Sequence, residues 1–482
     1  MSMQYDSLFI GGDWIAPSSS KRITAISAST EQPIGSVPEA QEADVDAAVA
    51  AARRAFDDPA GWAHWAPAAR AAAIERLADV LERRAEDVVQ CVSAQNGMPV
   101  AVARQLEGVF PVVLLRYYAG LARDTATEET RPGLFGGSTL VCREPLGVVG
   151  AIVPWNFPQT LAAFKYAPAL AAGCTLVIKP SPETVLDAFV FAEAVAEAGI
   201  PAGVVNVVPG GREVGAYLVE HPGVDKISFT GSTAAGRSIG EVCGRLLRPV
   251  TLELGGKSAA IVLDDAGLDL QTMSEKLFAA TLLNNGQTCF LGTRVLAPRS
   301  RYSEIVDLFT DLAGTLKVGD ALDDTTQIGP MATAAQRDRV EQYIAKGLGD
   351  GARITIGGGR PADQDKGWFV EPTIFADVEN NHTIAQEEIF GPVLSVIPYS
   401  DEDEAVRIAN DSDFGLGGTV WTNDPDRGLA LAKRVQTGTI GINGYLPEPT
   451  APFGGVKASG LGRELGPEAL SNYQQLKSIY LD

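Results

Sequence analysis

The chain has 482 residues, room for about three domains with sizeable cores at roughly 150 residues each, which excludes a peptide or a single small module. Apolar residues make up 45% and charged residues 21%, so wholesale disorder is excluded. The 39 basic against 60 acidic residues leave a net charge of −21, a surface that repels polyphosphates and argues against nucleic acid as a partner.

The N-terminal segment MSMQYDSLFIGGDW has neither a basic n-region nor an apolar h-region, and no long apolar run free of charge or proline follows. A cytoplasmic protein without a membrane span is the expectation. In the first third, Ile74, Leu77, Ala78 and Leu81 recur at i, i+3, i+4 and i+7, the pattern of one buried helical face. Residues 123 to 138 are polar, with Pro132 and several glycines, and lead into the alternating run TLVCRE, which predicts a hairpin or arm leaving the body. From Gly147 to Leu263, β-branched runs (GVVGAIV, TLVIK, VVNVV, KISF, VTLEL, AAIVL) alternate with mostly helical segments such as 183–198 and 233–247. Such alternation predicts a parallel sheet covered on both faces. A second strand–helix series runs from about 269 to 442, and SNYQQLKSIYLD reads as a final strand.

Within these elements a few segments carry chemistry. In KISFTGSTAAGRSIG, Gly231 follows a strand and Gly236 lies where a helix opens, so free backbone N–H groups and the helix dipole favour a phosphate there. A plain strand-to-helix turn would share that pattern. A nucleotide-hydrolase loop is disfavoured because Arg237 stands where such a loop needs lysine.

Cys91, Cys142, Cys174, Cys243 and Cys289 are odd in number and scattered, which suits reduced thiols, and no CxxC or HExxH spacing suggests a metal. Four of them fit buried apolar positions, whereas Cys289 follows Asn284, Asn285 and Gly286 at the end of an apolar helix, with polar neighbours. A free thiol is only a few per cent ionised at neutral pH, so a nucleophile there needs a base or a positive charge nearby. His64, His221 and His382 lie in segments without a catalytic pattern, so a carboxylate is the better candidate. In VTLEL, period-2 alternation points Glu253 opposite Leu252 and Leu254, just before Gly255 and Gly256 end the strand, although an ordinary exposed strand glutamate would fit the same spot. Asn156 in VPWNFPQT offers an amide to an oxyanion or simply fills a turn. Lys179 ends another strand, on the side where such sheets hold ligands, or is a surface lysine.

Together these segments resemble the aldehyde dehydrogenase family over nearly the whole chain, in PWNFP, KPS, FTGSTAAG, LELGGKS, NNGQTC, EEIFGPV and PFGGVKASGLGRE, in the family's order. The resemblance implies an α/β chain with a doubly wound, Rossmann-like NAD(P)-binding domain (1–122 and 146–257), a related catalytic domain (258–456) and a small β oligomerisation arm (123–145 and 470–482). It implies a homodimer or homotetramer. It assigns Cys289 as nucleophile, Asn156 as oxyanion donor and Glu253 as general base. Lys179 matches the lysine on the adenosine ribose, Ser232 the pyrophosphate contact, Glu388 the nicotinamide-ribose glutamate, and Phe390 the aromatic beside it. Ile152, Pro154, Trp155, Ser181, Glu183, Gly211, Phe229, Gly231 and Leu254 complete the implied cofactor cleft, and Phe157, Phe164, Leu283, Phe290 and Tyr445 the substrate pocket.

The implied reaction is oxidation of an aldehyde to the acid through a cysteine thiohemiacetal and thioester, without a metal. The pocket aromatics imply a hydrophobic substrate: aromatic, terpenoid or medium-chain. Relatives that pass the acyl group to coenzyme A usually lack the Glu253 base, and a structural protein that kept the fold would not need the intact set. Many NAD-preferring relatives carry glutamate three residues after the lysine, whereas here Pro182 stands there and Glu183 comes one residue late. NAD preferred with NADP tolerated is the expectation, unless Glu183 only begins the next helix.

Overall fold

The computed structural model describes residues 3–482 and is built around two parallel sheets. In the first, the strands run in the order Val205–Val207, Thr175–Lys179, Val148–Ile152, Lys226–Thr230 and Val250–Glu253, all parallel, and the short Gly460–Leu461 strand closes the edge antiparallel. In chain order that is 3-2-1-4-5, a doubly wound sheet whose order reverses between Val148–Ile152 and Lys226–Thr230. Both faces are covered, which is why these strands read as continuous apolar runs. The covering helices include Pro158–Ala172, Leu186–Glu197, Arg212–Glu220 and Thr233–Leu246.

The sixth run of the series, Ala259–Val262, leaves this sheet after Gly255 and Gly256. It joins a second sheet in the order Arg353–Ile356, Thr373–Ala376, Val393–Tyr399, Arg294–Pro298, Ala259–Val262, Gly418–Trp421 and Gly441–Ile442. Only the Arg353–Ile356 pairing is antiparallel.

The polar segment after residue 123 forms the strand Glu128–Pro132, followed by Ser138–Pro145, which pairs along its length with the final strand Gln474–Leu481. The tip of this three-stranded sheet carries Leu134 and Phe135, both fully exposed.

Two local details depart from the sequence pattern. The helix whose buried face carries Ile74, Leu77, Ala78 and Leu81 is Pro67–Arg83, and it breaks at Arg84 before a second helix, Ala85–Asn96. Before the first helix at Glu42, five strands of two to six residues form a three-stranded sheet and a hairpin. Segments so short give little period-2 signal.

Candidate active site

The carboxyl ends of the parallel strands, at the point where the strand order reverses, open into a cleft of about 680 Å³. Doubly wound sheets bind ligands there because the helices following adjacent strands diverge to opposite faces. Lys179 ends its strand in the cleft wall, with Nζ donating to the carbonyls of Gly210 (2.7 Å) and Pro180 (2.9 Å). Burial pushes its ammonium down to about 8, and Glu183 opposes the shift. Gly215 lies against its stem, where a Cβ would sit 3.4 Å from the methylenes.

Glu183 does not begin the next helix, which starts at Leu186, but lies in the cleft wall and accepts a hydrogen bond from Ser181. Gly211, the N-cap of Arg212–Glu220, faces open space, whereas a Cβ on Gly231 would come 2.5 Å from the Phe229 ring. Ser232 caps the helix Thr233–Leu246 by accepting from Ala235 N–H at 3.3 Å, leaving first-turn donors directed at the cleft.

A second cavity of about 300 Å³ continues this cleft through Pro154, Trp155, Thr230, Gly231 and Ser232 and reaches Asn156, Leu254, Cys289, Glu388 and Phe390. Glu388 is held by Gly256 N–H at 2.8 Å, and burial raises its carboxyl to about 7 against the pull of that N–H, Lys257 and Arg339. Phe390 sits at φ +63°, unusual for a bulky residue, with its ring edge-on to Trp155 at 5.4 Å. Two side chains from the helix Ala334–Gly349 hold this loop: Gln336 donates to the Phe390 carbonyl (2.7 Å) and Arg339 to the Glu388 carbonyl (2.7 Å). Both line the cavity, and sequence reasoning missed them because a helix some fifty residues upstream of the loop carries no motif.

Cys289 is half-buried at the end of a backbone that few sequences adopt. Asn284, Asn285 and Gly286 are all left-handed, at φ +52°, +59° and +74°. Asparagine tolerates this region and here also supplies side-chain anchors. Asn285 donates to the carbonyls of Gly97 (2.7 Å) and Pro330 (2.9 Å) and accepts from Gly329 N–H (2.7 Å). Asn284 donates to the Asn156 carbonyl (2.9 Å), and Thr288 closes back on the Leu283 carbonyl (3.0 Å). The Asn156 side chain donates to the Gln287 carbonyl at 3.0 Å, tying it to the cysteine's loop.

Glu253 is not an exposed strand residue. It is 2% exposed, and neither carboxyl oxygen has a hydrogen-bond partner among the described residues. Burial, then the nearby Glu464, hold its carboxyl well above the carboxylate range, with Lys165 and Arg463 opposing. The Cys289 thiol is likewise pushed up, by burial first and then by Glu388 and Glu253. Burial thus disfavours the charged form of both groups. Lys165 and Glu464 form an ion pair at 2.8 Å, with Lys165 also donating to Thr230 (2.6 Å); Glu464 closes the PFGGVKASGLGRE motif, which suggested no role for it, and Lys165 lies outside the motifs.

The residues expected to form the substrate pocket gather in one apolar cluster against which Cys289 packs. Phe290 meets Tyr445 edge-on at 4.9 Å, and Phe164 and Phe290 both meet Phe453, at 6.0 and 6.3 Å. Phe157 and Leu283 are buried in the same cluster, and Phe453, from the PFGGVKASGLGRE motif, joins the set.

The sequence profile of the Aldehyde dehydrogenase family matches residues 14–479, and the chain belongs to that family: it is an enzyme that oxidises aldehydes. Among relatives, it is 58% identical over 481 residues to geranial dehydrogenase of Castellaniella defragrans, covering 100% of both chains. An aldehyde dehydrogenase of Mycobacterium tuberculosis complexed with NAD+ superposes with a TM-score of 0.97 at 48% identity, over 100% of this chain and 99% of that one. A mutant of aldehyde dehydrogenase C from Pseudomonas syringae, complexed with NAD+ and octanal, gives 0.94 at 39% identity, over 98% and 96%. Among the described residues no helix is long and apolar enough to cross a membrane.

Proposed function

We propose that this chain oxidises hydrophobic aldehydes, terpenoid or medium-chain, to the acids, with NAD preferred as hydride acceptor and NADP tolerated. The observation that carries the reading is the continuity of the two cavities, which joins the strand-order switch point to Cys289 and Asn156. The donor set fits a dinucleotide: a lysine and a carboxylate for ribose hydroxyls at Lys179 and Glu388, free helix N-terminal N–H groups for the pyrophosphate, and glycines where a side chain would obstruct. When bound, NAD supplies the hydride acceptor and a positive charge.

Cys289 Sγ, once ionised, adds to the aldehyde carbon, and the resulting oxyanion is held by the Asn156 amide and the Cys289 backbone N–H. One such donor is typically worth about 2.7–4 kcal/mol. Loss of hydride from the tetrahedral carbon restores a carbonyl as a thioester on Cys289. Glu253 then takes a proton from the water that attacks the thioester, the C–S bond breaks, and the carboxylic acid leaves with the thiol restored. Because burial disfavours its charged form, Glu253 has to ionise before it can act as this base.

The aromatic cluster beside Cys289 supports a hydrophobic substrate, since each Å² of apolar area it covers contributes about 25 cal/mol. The names of the relatives that act on geranial or hold octanal support the same class. The exposed apolar tip at Leu134 and Phe135 supports an arm that docks on a second copy, as a homodimer or homotetramer, and five free cysteines suit the cytoplasm. The proposed domain limits remain 1–122 with 146–257, 258–456, and 123–145 with 470–482.

The test is a panel of aldehydes with purified enzyme, following NADH and acid together, with and without coenzyme A. Geranial-like and medium-chain aldehydes are expected to give the highest kcat/KM with one acid per NADH. A preference for short or charged aldehydes would overturn the substrate class, and acyl-CoA as product would overturn hydrolysis.

A further inference from the structure

The helix Ala85–Asn96 ends in the cavity wall's outer support, outside both cavities, and its last turn touches the two segments that meet at the reacting thiol. Asn96 is fully buried, and both polar atoms of its side chain are engaged: Nδ2 donates to the carbonyls of Trp155 and Asn156, each at 3.1 Å, and Oδ1 accepts from Met98 N–H at 3.0 Å. One residue on, the Gly97 carbonyl accepts from Asn285 at 2.7 Å. Gly97 is left-handed at φ +77°, and a Cβ there would collide with the Pro330 carbonyl, so this close approach requires glycine.

Two consecutive residues thus grip both halves of the site, one through a side chain and the other through the backbone. The Asn156 carbonyl is clamped between two amides, Asn96 from the helix end and Asn284 from the loop before Cys289. With its backbone fixed on both sides, the Asn156 side chain has one amide N–H committed to Gln287 and presents the rest of its amide toward the cavity.

We propose that Asn96 is a positioning residue for the oxyanion donor, setting where the Asn156 amide stands relative to Cys289 without itself reaching the substrate. This rests on the oxyanion role proposed for Asn156. An amide is required at position 96 because two carbonyls need a donor while a backbone N–H needs an acceptor from the same side chain. Displacing a catalytic group by about 1 Å costs on the order of 100-fold in rate.

The experiment is a double-mutant cycle in the full-length enzyme with Asn96→Ala, Asn156→Ala and both, measuring kcat, KM for octanal and the NAD dissociation constant. Asn156→Ala is expected to lower kcat about 100- to 1,000-fold. Asn96→Ala is expected to lower kcat roughly 10- to 100-fold with NAD affinity within about twofold of the parent, and the double variant to be no slower than Asn156→Ala alone. Asn96→Ser, which keeps a short donor, should recover part of the loss. Losses that multiply in the double variant, parental kcat in Asn96→Ala, or an equal loss of NAD affinity would each overturn the proposal. Should alanine at 96 prevent folding, Asn96→Asp keeps the shape and the Met98 contact but cannot donate, and a folded aspartate variant with parental kcat is equally fatal. If Asn156→Ala itself keeps parental kcat, the underlying oxyanion role fails instead.

Discussion

Replacing Gly454 by alanine tests the proposed base without replacing it. Gly454 stands at φ +148°, and a Cβ built there comes 2.5 Å from Glu253 Oε1 and 3.1 Å from Arg463 Cδ. A comfortable carbon–oxygen contact is about 3.5 Å, so the carboxyl, being the freest of these neighbours, must retreat by about 1 Å. A base displaced that far loses on the order of 100-fold in the step it serves. If Glu253 serves only thioester hydrolysis, Gly454→Ala should give a stopped-flow burst of about one NADH per site followed by turnover about 100-fold below the parent. The backbone conformation adds about 1–3 kcal/mol of strain, so the melting temperature should fall as well. Glu253→Gln should show the same burst and stall, and adding Gly454→Ala to it should slow turnover little further. A well-folded Gly454→Ala enzyme turning over at nearly the parental rate would refute both the displacement and the role given to Glu253.

Cys289→Ala should abolish aldehyde oxidation while NAD binding, followed by calorimetry, survives; retained oxidation would remove Cys289 as nucleophile. Because burial, Glu388 and Glu253 all raise the thiol, iodoacetamide labelling of Cys289 in the nucleotide-free enzyme, located by mass spectrometry, should climb about tenfold per pH unit through pH 9. The sign follows from the thiolate being the reactive form, and a plateau below pH 8 would contradict it. Glu183→Gln should raise kcat/KM for NADP relative to NAD, since the carboxylate lies in the cleft beside Lys179 and repels a 2′-phosphate. An unchanged ratio would show that Glu183 does not set the preference, and a parent favouring NADP would refute the preference itself.

What the sequence made legible was chemistry carried by contiguous residues. The strand ends at Lys179, Gly231 and Glu253 and the NNGQTC loop could be read because a β-branched run followed by glycine marks where a strand stops. The run of apolar segments gave the parallel sheet, although nothing in AAIVL indicated that it belongs to a second sheet. Side chains acting across the chain were not legible. Gln336, Arg339 and Lys165 reach the site from helices of ordinary composition, Glu464 closes a motif that does not reveal its partner, and the bonds that matter span separations of 49 to 299 residues. Asn284 and Asn285 were visible as the end of a helix, but their left-handed backbone and their anchors at Asn156 and Gly97 depend on partners more than a hundred residues away. The short N-terminal strands were missed for the opposite reason, having too few residues to show a period.

The antiparallel strand Gly460–Leu461 has a bearing on how the protein is made. It pairs Leu461 with Leu252 and Gly460 with Glu253, sealing the side of the first sheet that the five parallel strands leave unpaired. The chain supplies this seal roughly 200 residues after the strand it covers, so at about 5–20 residues per second a growing polypeptide leaves Val250–Glu253 as a bare sheet edge for about 10–40 s. A bare sheet edge invites pairing with a neighbouring nascent chain, and the strand at risk is the one that carries Glu253. Slow synthesis or a truncation before residue 460 should therefore cost soluble yield first, through aggregation at this edge, before any question of activity arises.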